Sequence, residues 1–462
     1  MTIIHSCGTM PPMFDVVEFL KARMLCRSNQ KLSRSEFLER RLARFREFAA
    51  FVKTNSPYYR RIMDERKIDP ASCVPDQFPV LTKTDLIKHF NDIITVRDVT
   101  YQNIADFLHK PSSPETMLRN RYVVIHTSGS SGEVGFFVYD PKAWAHAVAG
   151  LSRAKGFSFV QRRRKRIGFM GATQGHFAGV TSASAVRAFP LNLFYALRTF
   201  EINRPLREAI VGLNAYQPDI VVGYGTALKA LAEKQLEGEL KIKPEVLTNS
   251  GEPLLAADRQ IIEQAFGQCV RNFYTCSEHM FMGLKEAWQE SMCLFEDELI
   301  FEINPDHTLI TNLFNRTLPM IRYRMSDILT PLQSREHHPY QAIAEVAGRV
   351  ESQARFKNRH GSVDGISPHT INEILVPHVR QFQMRLRDPE SFDFAVVLQA
   401  GIHQDQKHQA LTAARSTLSA ILVEKEMHNV RFDVLPVDEI PVDPRTGKFR
   451  LILNLAKAAG QY

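Results

Sequence analysis

Tyr122-Val123-Val124-Ile125-His126 runs directly into Thr127-Ser128-Gly129-Ser130-Ser131-Gly132. Residues 122–125 form a short apolar run rich in β-branched and aromatic side chains, the pattern of a buried strand. The glycines after it let the backbone turn its N–H groups inward. Three serines and a threonine add hydroxyl donors, and such a nest suits a phosphate. It is not a Walker loop, because no Gly-Lys-Ser/Thr comes next. The same composition in isolation would be a flexible linker. Its place between a β-run and a helix expected through Trp144 and Val148 sets the anion-binding reading level with that plainer one.

Downstream of this stretch, short apolar runs alternate with helical periodicity. Residues 166–170, 219–222, 245–247 and 269–274 read as strands, and residues 254–266 as a helix stopped by Gly267 in the C′ position. Strands alternating with helices predict an α/β fold with largely parallel sheets. Upstream, residues 34–52 predict a helix. Ser33-x-x-Glu36 forms a capping box there, and Phe37, Leu38, Leu42, Phe45, Phe48 and Val52 recur on one face. Pro57 is expected to stop the segment beyond this helix. Near residue 350 the pattern changes. Residues 392–398 and 430–435 read as strands and 408–423 as an amphipathic helix, so residues 350–462 are expected to form a small α+β unit after a large unit of residues 1–349.

Composition narrows the classes. The 462 residues are 44% hydrophobic and 23% charged, which is ordinary for a globular chain and argues against disorder. A net charge of +8 suits an anionic ligand without implying nucleic acid. The run Arg162-Arg163-Arg164-Lys165-Arg166 has no second basic stripe or interleaved aromatics, so it reads as a solvated turn before a buried strand, and no nucleic-acid partner is expected. The six cysteines form no Cys-x-x-Cys pair and no zinc-ligand spacing, so free thiols are expected. Neither a signal peptide nor an apolar run of membrane-spanning length is seen, so a cytoplasmic enzyme without membrane insertion is expected.

Three more segments hold chemistry-bearing residues. Ser250-Gly251-Glu252-Pro253 is followed by a helix and then Phe273-Tyr274-Thr275-Cys276-Ser277-Glu278. A glutamate at a strand end suits Mg²⁺, a hard cation that prefers oxygen. The plainer reading is an exposed glutamate and a core tyrosine. Arg322-Tyr323-Arg324-Met325-Ser326-Asp327 precedes Gly348-Arg349; Asp accepts from sugar hydroxyls and Arg donates in a fixed fork. The alternative is a surface ion pair. Arg445-Thr446-Gly447-Lys448 is a turn whose lysine, standing alone, would simply be solvated.

In order along the chain, these four segments resemble the motif set of the adenylate-forming superfamily, which includes acyl- and aryl-CoA ligases, peptide-synthetase adenylation domains and luciferases. Thr54-Asn55-Ser56-Pro57-Tyr58-Tyr59 and Phe78-Pro79-Val80-Leu81-Thr82-Lys83-Thr84-Asp85-Leu86 are similar to stretches of its phenylacetate–CoA ligase-like branch. The resemblance spans nearly the whole chain. It implies a large N-terminal α/β domain, a small mobile C-terminal α+β lid, and ATP-dependent activation of a carboxylic acid. Thr127, Ser128, Gly129, Ser130, Ser131 and Gly132 would wrap the ATP phosphates. Gly251, Glu252 and Pro253 would line the adenine site, with Tyr274 stacked on the ring. Ser277 would touch the α-phosphate and Glu278 would hold Mg²⁺. Asp327 and Arg349 would bind the ribose, Glu351 would be the hinge, and Lys448 would bridge the attacking carboxylate and the α-phosphate. Coenzyme A or another pantetheine thiol would accept the acyl group; an amine or a carrier protein is the alternative acceptor.

The acid itself is less legible. His176 lies where the family places acyl-pocket residues, Tyr224 and Gly225 form another expected wall, and Thr275 stands in place of a glycine that borders the pocket. A histidine and aromatics suit a flat aryl acid or a polar acyl chain. His176 reads equally well as a satisfied core imidazole.

Overall fold

The computed structural model describes residues 15–110, 112–127, 134–155, 157, 161–332, 339–344, 346, 354–372, 374, 376–440 and 451–455. Its centre is an eight-stranded sheet. Five strands run parallel in the spatial order Tyr195–Glu201, Lys165–Gly171, Ile220–Gly223, Val246–Ser250 and Val270–Cys276. The alternation of apolar runs and helices produces this arrangement, because a parallel connection needs a crossover and helices Leu206–Tyr216, Gly225–Leu236 and Ala256–Phe266 supply three of them. Gly267 ends the last helix in the left-handed conformation at φ +65°, as its position in the sequence predicts.

Beyond Val270–Cys276 the sheet turns antiparallel through Met280–Lys285, Met292–Leu294 and Ala342–Ile343. Periodicity did not announce this half, since antiparallel strands buried on both faces lose their polar alternation. Two further expectations are corrected. The Ser/Gly loop does not lead from a strand into a helix; it joins the antiparallel strands Val123–His126 and Phe136–Tyr139, and the helix Pro141–Ala149 comes after the second of them. Pro57 does not stop a segment either. It occupies the first turn of helix Pro57–Glu65 behind the Ser56 cap, where its missing N–H costs nothing.

The N-terminal helices hold the strand that carries Asp327. Helix Arg34–Asn55 starts on the Ser33/Glu36 capping box and buries Phe37, Phe45, Phe48 and Val52. Tyr59, fully buried, donates to the Pro319 carbonyl (3.2 Å) and accepts from the Ile321 N–H (3.0 Å). Leu81 exchanges backbone hydrogen bonds with Arg322 and Arg324 (3.1 and 2.9 Å). Strand Met320–Met325 is thereby locked at both ends.

Acidic residues at one sheet edge, Glu296, Asp297 and Glu298, are buried and meet a ring of cations. Arg34 and Arg41 pair with Glu296 at 2.5 Å each, Arg153 with Asp297 at 2.6 Å, and Arg44 with Glu298 at 3.2 Å. The basic run before Lys165–Gly171 is likewise neutralised, Arg163 by Asp219 and Lys165 by Glu245. The C-terminal part builds its own core around Phe356, Phe382, Phe392 and Phe394, with helix Gln404–Glu424 over the sheet Arg431–Pro436, Ser391–Leu398, Val379–Asp388 and Ile452–Asn454. It meets the rest through Lys425, whose ammonium donates to the Ile202 carbonyl (2.9 Å), and Thr370, which donates to Asn203 (2.6 Å). The expected boundary at 349/350 lies outside the described residues. No helix among the described residues is long and apolar enough to cross a membrane. The described cysteines are free.

The acidic edge bears on stability in two measurable ways. Asp297 also accepts from Tyr340 and Asn29 (2.6 Å each), so Asp297→Ala leaves a buried guanidinium uncompensated and removes the acceptor of two further donors. Denaturant unfolding is expected to show a loss of about 3–5 kcal/mol; a loss under about 1 kcal/mol contradicts this account of the edge. Burial alone would lower the His146 pKa, but Glu298 at 2.9 Å and Glu18 at 3.5 Å outweigh it and raise it. A raised histidine pKa stabilises fully below the unfolded value of about 6.5 and is lost as pH rises through the folded value. His146→Gln is therefore expected to flatten the fall in unfolding free energy as pH rises above about 6.5.

Candidate active site

In a parallel sheet, ligands gather where strands end and where the strand order reverses. Here Tyr195–Glu201 and Ile220–Gly223 flank opposite sides of Lys165–Gly171, so the reversal lies at the C-terminal ends of the last two. Tyr224, Gly225, Gly251, Glu252, Pro253, Ser277 and Glu278 all come just past the ends of parallel strands on this rim.

The local sequence explains the tight turns. Gly251 sits at φ +84°, and a Cβ there would approach the Tyr224 ring to 3.2 Å. At Gly225 a Cβ would meet the Pro253 carbonyl at 3.0 Å. The Glu252 carboxylate accepts from the Thr226 N–H and hydroxyl (2.9 and 2.7 Å), capping helix Gly225–Leu236. Asn249 donates to the Glu252 carbonyl (2.8 Å), which fixes the loop from the other side. One carboxylate oxygen of Glu252 thus holds the rim together.

Tyr274 and Asp327 are 53 residues apart in sequence and meet in space: the phenol donates to the carboxylate at 2.7 Å. Burial first, then the Asp327 charge, hold the Tyr274 pKa well above the ordinary range, so the phenol remains a donor. Glu278 is anchored through its carbonyl, which accepts from the buried Tyr139 hydroxyl at 3.2 Å. Its carboxyl pKa is raised, by burial first and by Asp327 among its neighbours, while Lys83 opposes the shift.

Lys83 is the residue that sequence reasoning placed in a motif without a role. The Thr82/Asp85 capping box starts helix Lys83–Lys88 and sets Lys83 in its first turn. Its Cε lies 3.4 Å from where a Cβ on Gly135 would be. Gly135 is the neck of the Ser/Gly hairpin: its N–H donates to the Thr127 hydroxyl (2.8 Å), and its carbonyl accepts from the Thr127 N–H (3.0 Å). One cation therefore stands between the loop neck and Glu278. The capping box was the only sequence signal that fixed its direction. Ser128, Gly129, Ser130, Ser131, Gly132, Arg349, Glu351 and Lys448 lie outside the described residues.

On one face of the sheet, under helix Ala178–Ser184, is an apolar chamber of about 130 Å³. Ile167, Phe169, Val186, Tyr195, Val222 and Phe281 form much of its wall, and Ser250 lies at the strand-end side. The Ser250 and Thr275 hydroxyls are 3.1 Å apart there. Tyr224 supports the wall edge-on to Phe169, with ring centroids 6.4 Å apart. His176 belongs to a different group. Its Nε2 is 2.8 Å from the Ser112 hydroxyl, its ring packs on Phe107, and burial first, then His126, depress its pKa to about 4. A second, wider cleft of about 690 Å³ lies between the hairpin and the C-terminal part, bordered by His126, Val134 and Phe136 on one side and Val376, His378 and Phe382 on the other.

No protein-family model matches the chain. Protein CapK of Staphylococcus aureus is 24% identical over 325 residues, 67% of this chain and 67% of that protein. Phenylacetate-coenzyme A ligase of Escherichia coli (strain K12) is 24% identical over 436 residues, 88% of this chain and 92% of that protein. Among solved structures, 2-hydroxyisobutyryl-CoA ligase in complex with 2-HIB-AMP and CoA matches with a TM-score of 0.59 at 18% identity, covering 94% of this chain and 93% of that one. These likenesses, over most of the chain, support a phenylacetate–CoA ligase-like protein of the adenylate-forming superfamily, and the fold is that of the CoA ligase structure.

Proposed function

We propose that this protein activates a carboxylic acid with ATP through an acyl-adenylate and then transfers the acyl group to a thiol, that of coenzyme A in the first instance. The observation that carries the reading is the Tyr274–Asp327 hydrogen bond beside Glu278, on the same sheet whose neighbouring strand residues Ser250 and Phe273 line an apolar chamber. Such a rim offers what adenylation needs: acceptors for ribose hydroxyls, a carboxylate for a divalent cation, and a dry recess for an acyl group.

In this reading Tyr274 presents its ring to adenine while its hydroxyl orients Asp327 toward the ribose, with Arg349 as partner donor. Glu278 fits Mg²⁺. Among the described residues no three metal-ligating side chains cluster, and Mg²⁺ bound beside nucleotide phosphates needs only one or two carboxylates. When bound, Mg²⁺ supplies positive charge to the phosphate oxygens. Ser277 lies at the α-phosphate. Thr127 to Gly132 hold the β- and γ-phosphates, and Lys83 adds a cation at the loop neck. The acid carboxylate sits at Ser250 and Thr275 with its body in the chamber. One carboxylate oxygen attacks the α-phosphorus, pyrophosphate leaves, and Lys448 offsets the charge of two anions meeting. The thiol then attacks the carbonyl carbon and AMP departs with the bridging oxygen. Rotation of the small domain, residues 350–462, about Glu351 exchanges Lys448 for the acceptor. The described residues bordering the wider cleft include no lysine or arginine, which suits the uncharged pantetheine arm.

ATP–pyrophosphate isotope exchange over a panel of aryl and aliphatic acids, without acceptor, tests the first half-reaction. Exchange with at least one acid is expected; none across the panel, with ATP bound, contradicts the proposal. Lys448→Ala is expected to slow acid-dependent exchange about 10²–10³-fold, the usual worth of one preorganised charge, and unchanged exchange removes that residue from its assigned role. Tyr274→Phe keeps the ring and deletes the bond to Asp327. It is expected to raise the KM for ATP by roughly tenfold.

A further inference from the structure

Behind the apolar chamber lies another cavity. It measures about 250 Å³ and is bordered by helices Val16–Asn29 and Pro141–Ala149. Ala154, Phe157 and Phe281 line both cavities, so the partition between them is one side chain thick. Phe281 is buried and set edge-on to Phe273, with centroids 5.4 Å apart. Its seat is Gly150: a Cβ there would fall 2.6 Å from the Phe281 Cβ, so no larger residue leaves the ring where it is. Phe157 completes the partition and stacks on Tyr195 at 5.4 Å.

The two cavities differ in chemistry. The front one is largely apolar, and the Arg271 on its wall is neutralised by Glu286. The rear one is bordered by Arg23, Arg27, Arg153 and Lys155; Glu298, also on its wall, is taken up by Arg44 and His146. Arg153 is neutralised by Asp297. Arg23 and Arg27 are four residues apart on one helix, a like-charge spacing that costs helix stability. The Lys155 ammonium lies over the Trp288 ring at 4.6 Å. Among the described residues, neither Arg27 nor Lys155 has a carboxylate within ion-pair distance of its side chain.

We infer that Phe281, backed by Phe157, is the floor that sets how long an acid this protein activates. The front chamber admits an acyl body of about ring size, since a dry apolar cavity of roughly 150 Å³ holds a benzene. Longer acids are stopped at Phe281 and do not reach the cationic cavity behind it. The inference rests on assigning the front chamber to the acid. Its chemistry carries a signature: once the floor is opened, an acid ending in a second carboxylate meets Arg23, Arg27 and Lys155 and is preferred over a methyl-ended acid of equal length.

The test is acid-dependent ATP–pyrophosphate exchange by the full chain, using straight-chain monocarboxylates of increasing length and the matching α,ω-dicarboxylates. Wild type, Phe281→Leu, Phe281→Ala and Phe157→Leu are compared, with thermal unfolding as the check on folding; the leucine variants carry the test if the alanine variant does not fold. For wild type, kcat/KM is expected to drop about tenfold or more once the chain outgrows the chamber. Opening the floor is expected to raise kcat/KM for longer acids by about tenfold and to favour the dicarboxylate at equal length. Arg27→Gln added to the opened floor is expected to abolish that preference. Folded floor variants with the wild-type length profile overturn the inference, as does a wild type that takes long and short acids equally. Exchange with no acid at all overturns the activation proposal itself, and the inference with it.

Discussion

A single hydrogen bond, from the Tyr274 phenol to the Asp327 carboxylate at 2.7 Å, joins the two sheets on which the candidate site depends. Tyr274 ends a strand of the large sheet, and Asp327 comes just after a strand of the three-stranded sheet. A bond to a charged group in a buried setting contributes about 1.5–3 kcal/mol and fails steeply with misplacement. Much of the surrounding structure serves to keep the two ends in register. Tyr59 and Leu81 hold the Asp327 strand, and the Thr308 hydroxyl donates to the Asp327 carbonyl at 3.0 Å. The Ser250–Thr275 contact and the Asn249–Asn272 bond hold the Tyr274 strand. The N-terminal motifs at Ser56–Tyr59 and Phe78–Leu86 thus act mainly through Asp327. Lys83, which lies beside Gly135, is the exception.

The rim is a product of the topology. Tight packing of Gly225 on Pro253 and of Gly251 on Tyr224 brings two consecutive strand ends together, and the cap from Glu252 to Thr226 locks them. Burial raises the Glu278 pKa, and the neighbouring negative charge of Asp327 adds to the shift. A divalent cation reverses that logic, because it stabilises the ionised form. Lys83 offsets only part of the penalty.

What was legible in the sequence came from local rules. The Ser33 capping box, the Gly267 stop and four of the five parallel strands each depend on a few neighbouring residues, and each stands where expected, within a few residues at the ends; the fifth strand, Tyr195–Glu201, was not among those expected. What was not legible depends on partners far away. The hairpin around the Ser/Gly loop is set by pairing of Val123 with Tyr139, and Pro57 starts a helix because Ser56 is buried against Asp92. The chamber walls come from six strands and a helix, so its lining was not readable from the segments around His176, which bonds Ser112 instead. The motif order along the chain held more information than any motif alone; among the described residues, the segments at Gly251–Pro253 and Ser277–Glu278 mark the ends of adjacent strands of one sheet.

The most direct measurement traces an oxygen atom. The acid is supplied with both carboxylate oxygens as ¹⁸O, together with ATP and coenzyme A, and the AMP and pyrophosphate formed are weighed by mass spectrometry. An acyl-adenylate route places one ¹⁸O in AMP and none in pyrophosphate, because the bridging oxygen leaves with the nucleotide when the thiol attacks. Label in a phosphate product other than AMP, or acyl transfer with unlabelled AMP, would contradict the account.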